Sequence, residues 1–246
     1  MTRPRAQPKL TMNPRVYSAY LFDIGGTLIK FDERRRAIHY VERATRAHIS
    51  VTVEDAARVL AELDLELPAR QQNVPLSLLP VATQRAFWLD FWAEGFRRLG
   101  VPSKDAALFA QELLDPMNGG NYQVVFEDVR PALDALRARG KQLGIISNFS
   151  ANCEPLLREL NLASYFDFFI VSGILGIEKP DPRIFHAAVA AAAKPIEELV
   201  YIGDSVHHDI QGARGAGMAA ILVDRANRYA AHALPRVRDL RELSAL

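Results

Sequence analysis

The sequence predicts an α/β fold: a parallel sheet covered by helices on both faces, with an all-helical insert after the first strand. Three observations predict it. From residue 124 onward, short uninterrupted apolar runs alternate with segments of helical period, as strands buried on both faces require. An earlier apolar run, Val16–Phe22, has the same character and ends abruptly in a lone acid, Asp23. Between Asp32 and about Leu114 the period is helical throughout, and no clear strand stands out.

In chain order, the first fifteen residues, MTRPRAQPKLTMNPR, are basic, proline-bearing and free of acids. They lack the apolar core of a secretory signal, so a disordered tail is expected over residues 1–15, with Met12 an alternative start. After the strand at 16–22, "ERRRAIHYVERATRAHI" places apolar residues at helical spacing with charges between them. "TVEDAARVLAEL" opens with Thr52 as N-cap and acids in the first turn. "PVATQRAFWLDFWAEGFRRLG" sets Trp88 and Trp92 four apart on one face, and "SKDAALFAQELLD" starts with Ser103 as a cap. These four helices form the insert, and "DPMNGGNYQ" reads as the return linker.

The rhythm then becomes strand–helix–strand. "EDVRPALDALRARG" is a helix ended by Gly140. "KQLGIISN" is a strand, "CEPLLRELN" a helix, and "YFDFFIVSG" contains a strand. "DPRIFHAAVAAAA" carries Asp181 as N-cap and Pro182 at the first helical position. "LVYIGD" is a strand, "HDIQGARGAG" a helix and "AAILVD" a last strand.

Composition narrows the function. The 246 residues are 49% apolar and 24% charged, which suits an ordinary globular chain of one large domain or a core with a smaller one. A net charge of +1 gives no electrostatic case for nucleic acid or acidic membranes. No apolar run approaches the ~20 residues of a membrane helix. Cys153 is the single cysteine, so no intrachain disulfide can form, in keeping with a reducing, cytoplasmic setting.

Parallel sheets bind ligands at the carboxyl ends of their strands. Asp23 stands at one such end, Ser147 and Asn148 at another ("IISN"), and Asp204 and Ser205 at a third ("VYIGDS"), with Asp209 shortly after. Lys179 lies in the loop "GIEKPDP" before a helix. In a parallel sheet all of these could converge on one crevice.

The stretches "FDIGGTL", "IISN", "GIEKPDPRIF" and "GDSVHHDIQGARGAGM" resemble, in order, the four motifs of the haloacid dehalogenase superfamily of hydrolases. A helical segment follows the first, as in that superfamily's C1-capped subfamily I. Any one motif is weak alone; the four in order specify the superfamily but not a substrate. The match covers residues 16–31 and 124–224. It implies a Rossmann-like three-layer core over 16–31 and 121–246 and a helical cap over 32–120. It also implies a phosphorylated small-molecule substrate; with the charge and hydropathy above, no nucleic-acid or membrane partner is expected, and a monomer or homodimer is expected.

By the same resemblance, Asp23 attacks phosphorus and becomes an aspartyl-phosphate, a suitable role for a carboxylate because the acyl phosphate hydrolyses readily. Mg²⁺ would be held by Asp23, the Gly25 carbonyl and Asp204, with Asp209 completing or orienting the ligand shell. Ser147, Gly26 and Asn148 would meet the phosphate, Lys179 would neutralise charge, and Thr27 would steady the nucleophile's turn.

One position departs from the family. Its phosphatases usually carry a second aspartate two residues after the nucleophile, to protonate the leaving oxygen and then activate water. Gly25 stands there instead. General acid–base catalysis is worth ~10²–10⁴-fold, so a slow phosphatase is expected, or a base from elsewhere, with His207 and His208 as candidates by proximity against a plainer reading as exposed helix-start residues. Two branches lack that acid. Dehalogenases need no proton on a leaving halide, but they work without metal and lack the acid that Asp204 represents. Phosphonatases use a Schiff-base lysine from the cap, where Lys104 is the only lysine between Phe31 and Gly120. A third reading is a feebly catalytic binder of a phosphorylated ligand or a protein partner.

Several residues have plainer readings. Arg34, Arg35 and Arg36 form a solvated helix face or meet an anion. Trp88 and Trp92 are core of the insert, although Trp92 could line a pocket. The glycines of "GARGAG" permit close helix packing. Cys153 is a buried apolar residue.

Overall fold

The computed structural model describes residues 17–71, 74–114 and 122–245. The tail expected at 1–15 lies outside these residues, as does most of the linker expected at Asp115–Gln123.

In chain order the elements are β1 (Ala19–Phe22), β2 (Ile29–Phe31), α1 (Glu33–Arg46), α2 (Val53–Gln71), α3 (Val81–Arg98), α4 (Ser103–Leu114), β3 (Gln123–Val125), α5 (Val129–Ala138) and β4 (Gln142–Ser147). They continue with α6 (Cys153–Glu159), β5 (Phe168–Val171), α7 (Ser172–Leu175), α8 (Pro182–Ala192), β6 (Leu199–Gly203), a π-helical turn (Val206–Gln211), α9 (Gly212–Gly215), β7 (Ala219–Val223) and β8 (Arg236–Val237). The chain divides into two compact units: Ile29–Val125, and the chain up to Leu28 joined to the chain from Phe126.

The α/β unit contains a six-stranded parallel sheet in the order β5-β4-β1-β6-β7-β8. All four residues of β1 are buried, as befits a strand flanked by β4 and β6 and covered on both faces. On one face Leu21, Ile146, Tyr201 and Leu222 pack against Ile184, Phe185 and Ala188 of α8. Asp181 caps α8 by accepting from the Arg183 N–H at 2.9 Å, and Pro182 takes the first helical position as expected. Chain order reverses at β1, whose two neighbours come later in the chain on opposite sides. That is where such sheets open a crevice. The register aligns Phe22 with Ile145 and Ile202, so Asp23, Ser147 and Asp204 leave the sheet at nearly one level.

The helical unit is built on α1–α4, with Tyr40, Leu60, Leu63, Phe91, Trp92, Phe96 and Phe109 in its core. Tyr40 stacks on Phe96 with centroids 4.0 Å apart and donates from its hydroxyl to the Trp92 carbonyl at 2.7 Å. Thr52 Oγ1 accepts from the Asp55 N–H at 3.0 Å, the expected cap. Ser103 is not a cap: it is the first residue of α4, because the Pro102 carbonyl already accepts the Ala106 N–H at 2.9 Å.

Three strands escape the sequence reading, two of them in this unit. β2 and β3 pair antiparallel at the two ends of this unit, Ile29 with Val125 and Phe31 with Gln123. Each has only three residues, too few to show a period of two. The short edge strand β8 was missed for the same reason. Arg36 departs from a solvated face: it is buried, ion-paired with Asp64, and its guanidinium lies 4.8 Å from the centre of the Phe31 ring.

Candidate active site

Asp23 follows the last residue of β1, and its N–H is bound by the Ile202 carbonyl at 2.9 Å, which holds the acid at the sheet's carboxyl edge. Lys179 Nζ donates to Asp23 Oδ1 at 2.7 Å, to Asp209 Oδ1 at 2.6 Å and to the Tyr201 hydroxyl at 2.7 Å. An ammonium has three N–H donors and all three are used. Ser147 Oγ donates to the same Asp23 oxygen at 3.1 Å. Asp23, Ser147, Lys179 and Asp209 are all buried, so this is a low-dielectric site in which charges interact strongly.

Each group is locally held. Asn148 grips the Lys179 backbone at both ends: its Nδ2 donates to the Lys179 carbonyl at 2.9 Å and its Oδ1 accepts the Lys179 N–H at 2.7 Å. The Asn148 side chain therefore anchors the lysine loop. Asp209 sits in the π-helical turn, where its Oδ2 accepts the Ser205 N–H at 2.8 Å. Gly203 makes that fold-back possible, since a Cβ there would overlap the Asp209 side chain. Gly26 has φ +71, and a Cβ on it would overlap the Asp204 carboxylate, so only glycine fits both the backbone and the close approach. Thr27 is wholly buried.

Asp23, Asp204 and Asp209 each offer a carboxylate oxygen, and those atoms lie within 4.8 Å of one another. Three carboxylates, of which Asp204 is half-buried, face one ammonium, so ionising all three leaves two negative charges for a cation to offset. Burial raises the pKa of Asp23, opposed by the Lys179 charge and reinforced by Asp209. Burial likewise raises Asp204 well above the usual carboxylate range, with Asp209 and Asp23 adding repulsion. Burial works against the Lys179 charge, but Asp209 and Asp23 outweigh it and the net pKa is raised. All-oxygen donors with excess negative charge fit a hard divalent cation, so the residues present suit the metal that the motifs imply.

Tyr201 is a site residue that the sequence reading missed. Besides accepting from Lys179, its hydroxyl lies 2.8 Å from the Ile146 carbonyl and 3.1 Å from Asp209 Oδ1. The available signal was a lone hydroxyl-bearing ring in an otherwise aliphatic strand, three residues before Asp204. His207 is exposed, and its Nδ1 lies 3.2 Å from Gln211 Oε1. His208 is half-buried, its N–H capped by Ser205 Oγ at 3.1 Å; burial and then the Lys179 charge lower its pKa. Cys153 is buried as expected, which pushes its thiol up to about 12. A Cβ on Gly212 of the "GARGAG" stretch would lie 2.9 Å from the Phe185 ring, consistent with close helix packing.

Comparison with known proteins gives the family and the fold. The profile of the haloacid dehalogenase-like hydrolase family matches residues 17–217. A mouse protein, haloacid dehalogenase-like hydrolase domain-containing protein 3, is 34% identical over 206 residues, covering 82% of this chain and 80% of its own. A phosphoserine phosphatase of Thermus thermophilus is 37% identical over 126 residues, 48% of this chain and 49% of that one. Among solved structures, a Bacillus subtilis HAD-hydrolase bound to magnesium shares the fold with TM-score 0.67 at 19% identity, covering 93% of this chain and 97% of that one. The order of motifs, the sheet that gathers them and the span of the family match lead to one conclusion: this chain belongs to the haloacid dehalogenase-like hydrolases.

Proposed function

We propose that the chain is a Mg²⁺-dependent phosphatase of small phosphate esters, working through an aspartyl-phosphate on Asp23. The supporting observation is the bonding of one Asp23 oxygen by both Lys179 and Ser147, beside two further acids that can share a cation with it. Relatives named phosphoserine phosphatase and glyceraldehyde 3-phosphate phosphatase favour the same substrate class.

In this reading Asp23, Asp204, Asp209 and the Gly25 carbonyl hold Mg²⁺, which when bound neutralises charge on the phosphoryl oxygens. A carboxylate oxygen of Asp23 forms a bond to phosphorus as the bond to the leaving oxygen breaks. Ser147 and Lys179 hold the nucleophile at one angle, so the positional entropy of attack is lost in folding and not at the reaction step. Lys179 also offsets charge that gathers on the equatorial oxygens. Ser147, Gly26 and the main chain at Asn148 receive the phosphate. Water then cleaves the acyl phosphate and restores Asp23. No side chain at position 25 can protonate the leaving oxygen, so turnover is slow on esters with poor leaving groups. The division into tail, α/β core and helical insert, and a cytoplasmic location, belong to the same proposal; among the described residues no helix is long and apolar enough to cross a membrane.

The test is purified protein and its Asp23→Asn variant with nitrophenyl phosphate and a panel of phosphorylated metabolites, with and without Mg²⁺. Mg²⁺-dependent turnover that disappears in the variant supports the reading; full activity in Asp23→Asn refutes the covalent mechanism. A 2-haloacid dehalogenase of Pseudomonas syringae is also similar, 26% identical with TM-score 0.55 over 93% of this chain and 97% of that one. Chloride release from chloropropionate without metal would favour that chemistry. No turnover of any kind would leave a phospho-ligand binder.

A further inference from the structure

We propose that Arg225 is a positioning residue for the nucleophile loop, acting through the Gly26 and Thr27 carbonyls. The proposal rests on the phosphatase reading for its catalytic consequence.

Arg225 follows the carboxyl end of β7, and its guanidinium is engaged on every side. Nη2 donates to the Thr27 carbonyl at 2.7 Å and Nε lies 3.4 Å from the Gly26 carbonyl. Nη1 donates to Asp128 Oδ2 at 2.8 Å. The guanidinium carbon lies 3.7 Å from the centre of the Phe126 ring, at stacking distance. Asp128 is buried, and the same Oδ2 accepts the Leu240 N–H at 2.6 Å. It precedes α5 yet caps nothing with its side chain. The carboxylate is directed to Arg225 and to the chain's C-terminal segment.

These contacts meet where position matters. Gly26 and Thr27 are three and four residues beyond Asp23, and Gly26 packs directly on the Asp204 carboxylate. The loop is a single turn closed by the Leu28 N–H to the Ile24 carbonyl at 2.8 Å, and the Leu28 carbonyl in turn accepts the Phe126 N–H at 3.1 Å. Arg225 therefore fastens the segment by which the chain leaves this unit to the segment by which it returns. One hydrogen-bonded turn is a weak restraint alone. A planar fork tied to a buried acid is a stiffer one, and it makes no contact with the reacting atoms. A shift of about 1 Å in such a loop can cost ~10² in rate.

The test compares Arg225→Met and Arg225→Lys with the parent protein, well below their melting temperatures. Lysine keeps a charge beside Asp128 but cannot serve two carbonyls and a carboxylate from one plane. The expected result is a kcat lower by about ten- to a hundred-fold in both variants with KM within about three-fold, since what is lost is the placement of the nucleophile for attack. Lysine should recover much of the melting temperature lost in the methionine variant but little of the kcat, a split that a purely structural ion pair would not produce. Amide exchange supplies a readout without turnover: a peptide spanning Ile24–Lys30 should exchange at least about five-fold faster in both variants, with β4 unchanged. Unchanged exchange in that peptide overturns the proposal, as does faster exchange with undiminished kcat, or kcat that recovers with the melting temperature in Arg225→Lys. If the parent protein has no phosphatase activity, the functional reading fails by itself and the exchange arm alone decides whether Arg225 holds the loop.

Discussion

On the phosphatase reading, Gly25→Asp should raise turnover. A Cβ built on Gly25 meets nothing within 4 Å, the residue is exposed, and its φ is not in the left-handed region. The substitution should therefore cost no more than about 0.5 kcal/mol in stability. The new carboxyl would stand two residues after Asp23. A positioned acid–base group contributes ~10²–10⁴-fold, or about 2.7–5.4 kcal/mol of barrier. An introduced side chain without evolved supports should realise no more than the bottom of that range, about 10–100-fold in kcat. The gain must depend on the leaving group. Nitrophenolate departs without a proton, so nitrophenyl phosphate should show little change, whereas an alkyl phosphate, whose alkoxide needs protonation, should show the full effect. The assay is phosphate release from both esters at saturating Mg²⁺, with Asp23→Asn as background. If Gly25→Asp melts with the parent protein and accelerates neither ester, a missing proton donor is not what limits this enzyme.

Other predictions follow from the buried cluster. Tyr201→Phe leaves one Lys179 N–H without its acceptor in a buried place, a loss of ~1–3 kcal/mol by urea unfolding, accompanied by lower kcat; unchanged stability would show that a water replaces the hydroxyl without penalty. Burial raises the pKa of Asp23 and Asp204, so the folded state keeps their protons after the unfolded chain has lost them. Metal-free protein should then lose stability as pH rises from the ordinary aspartate value of ~3.9 upward. Mg²⁺, at 100 times its dissociation constant, should return about 2.7 kcal/mol. Melting scans across pH with EDTA or Mg²⁺ check the sign: a Mg²⁺ shift that grows toward low pH contradicts it.

The fold class and the order of the site residues were legible in the linear chain because both depend on local pattern. Burial on two faces writes continuous apolar runs such as that ending at Phe22, and an abrupt acid after such a run marks a strand end. The helical insert was equally legible from its period. What pairs with what was not legible. Asp23 and Lys179 are 156 residues apart, and Arg225 and Gly26 are 199 apart; nothing local at either end records the contact. Asn148 reads as a phosphate contact through its main chain, and nothing local records that its side chain holds the lysine loop. Arg36 reads as a surface charge, yet it is buried against Asp64. Tyr201 reads as one more apolar strand residue, yet its hydroxyl accepts a hydrogen bond from the central ammonium. The chain by itself determined which elements form and which chemical groups reach the carboxyl edge of the sheet. Only the tertiary structure, through strand order and register, decided which donor faces which acceptor, because a hydrogen bond is directional and short-ranged whereas the burial that patterns a sequence is neither.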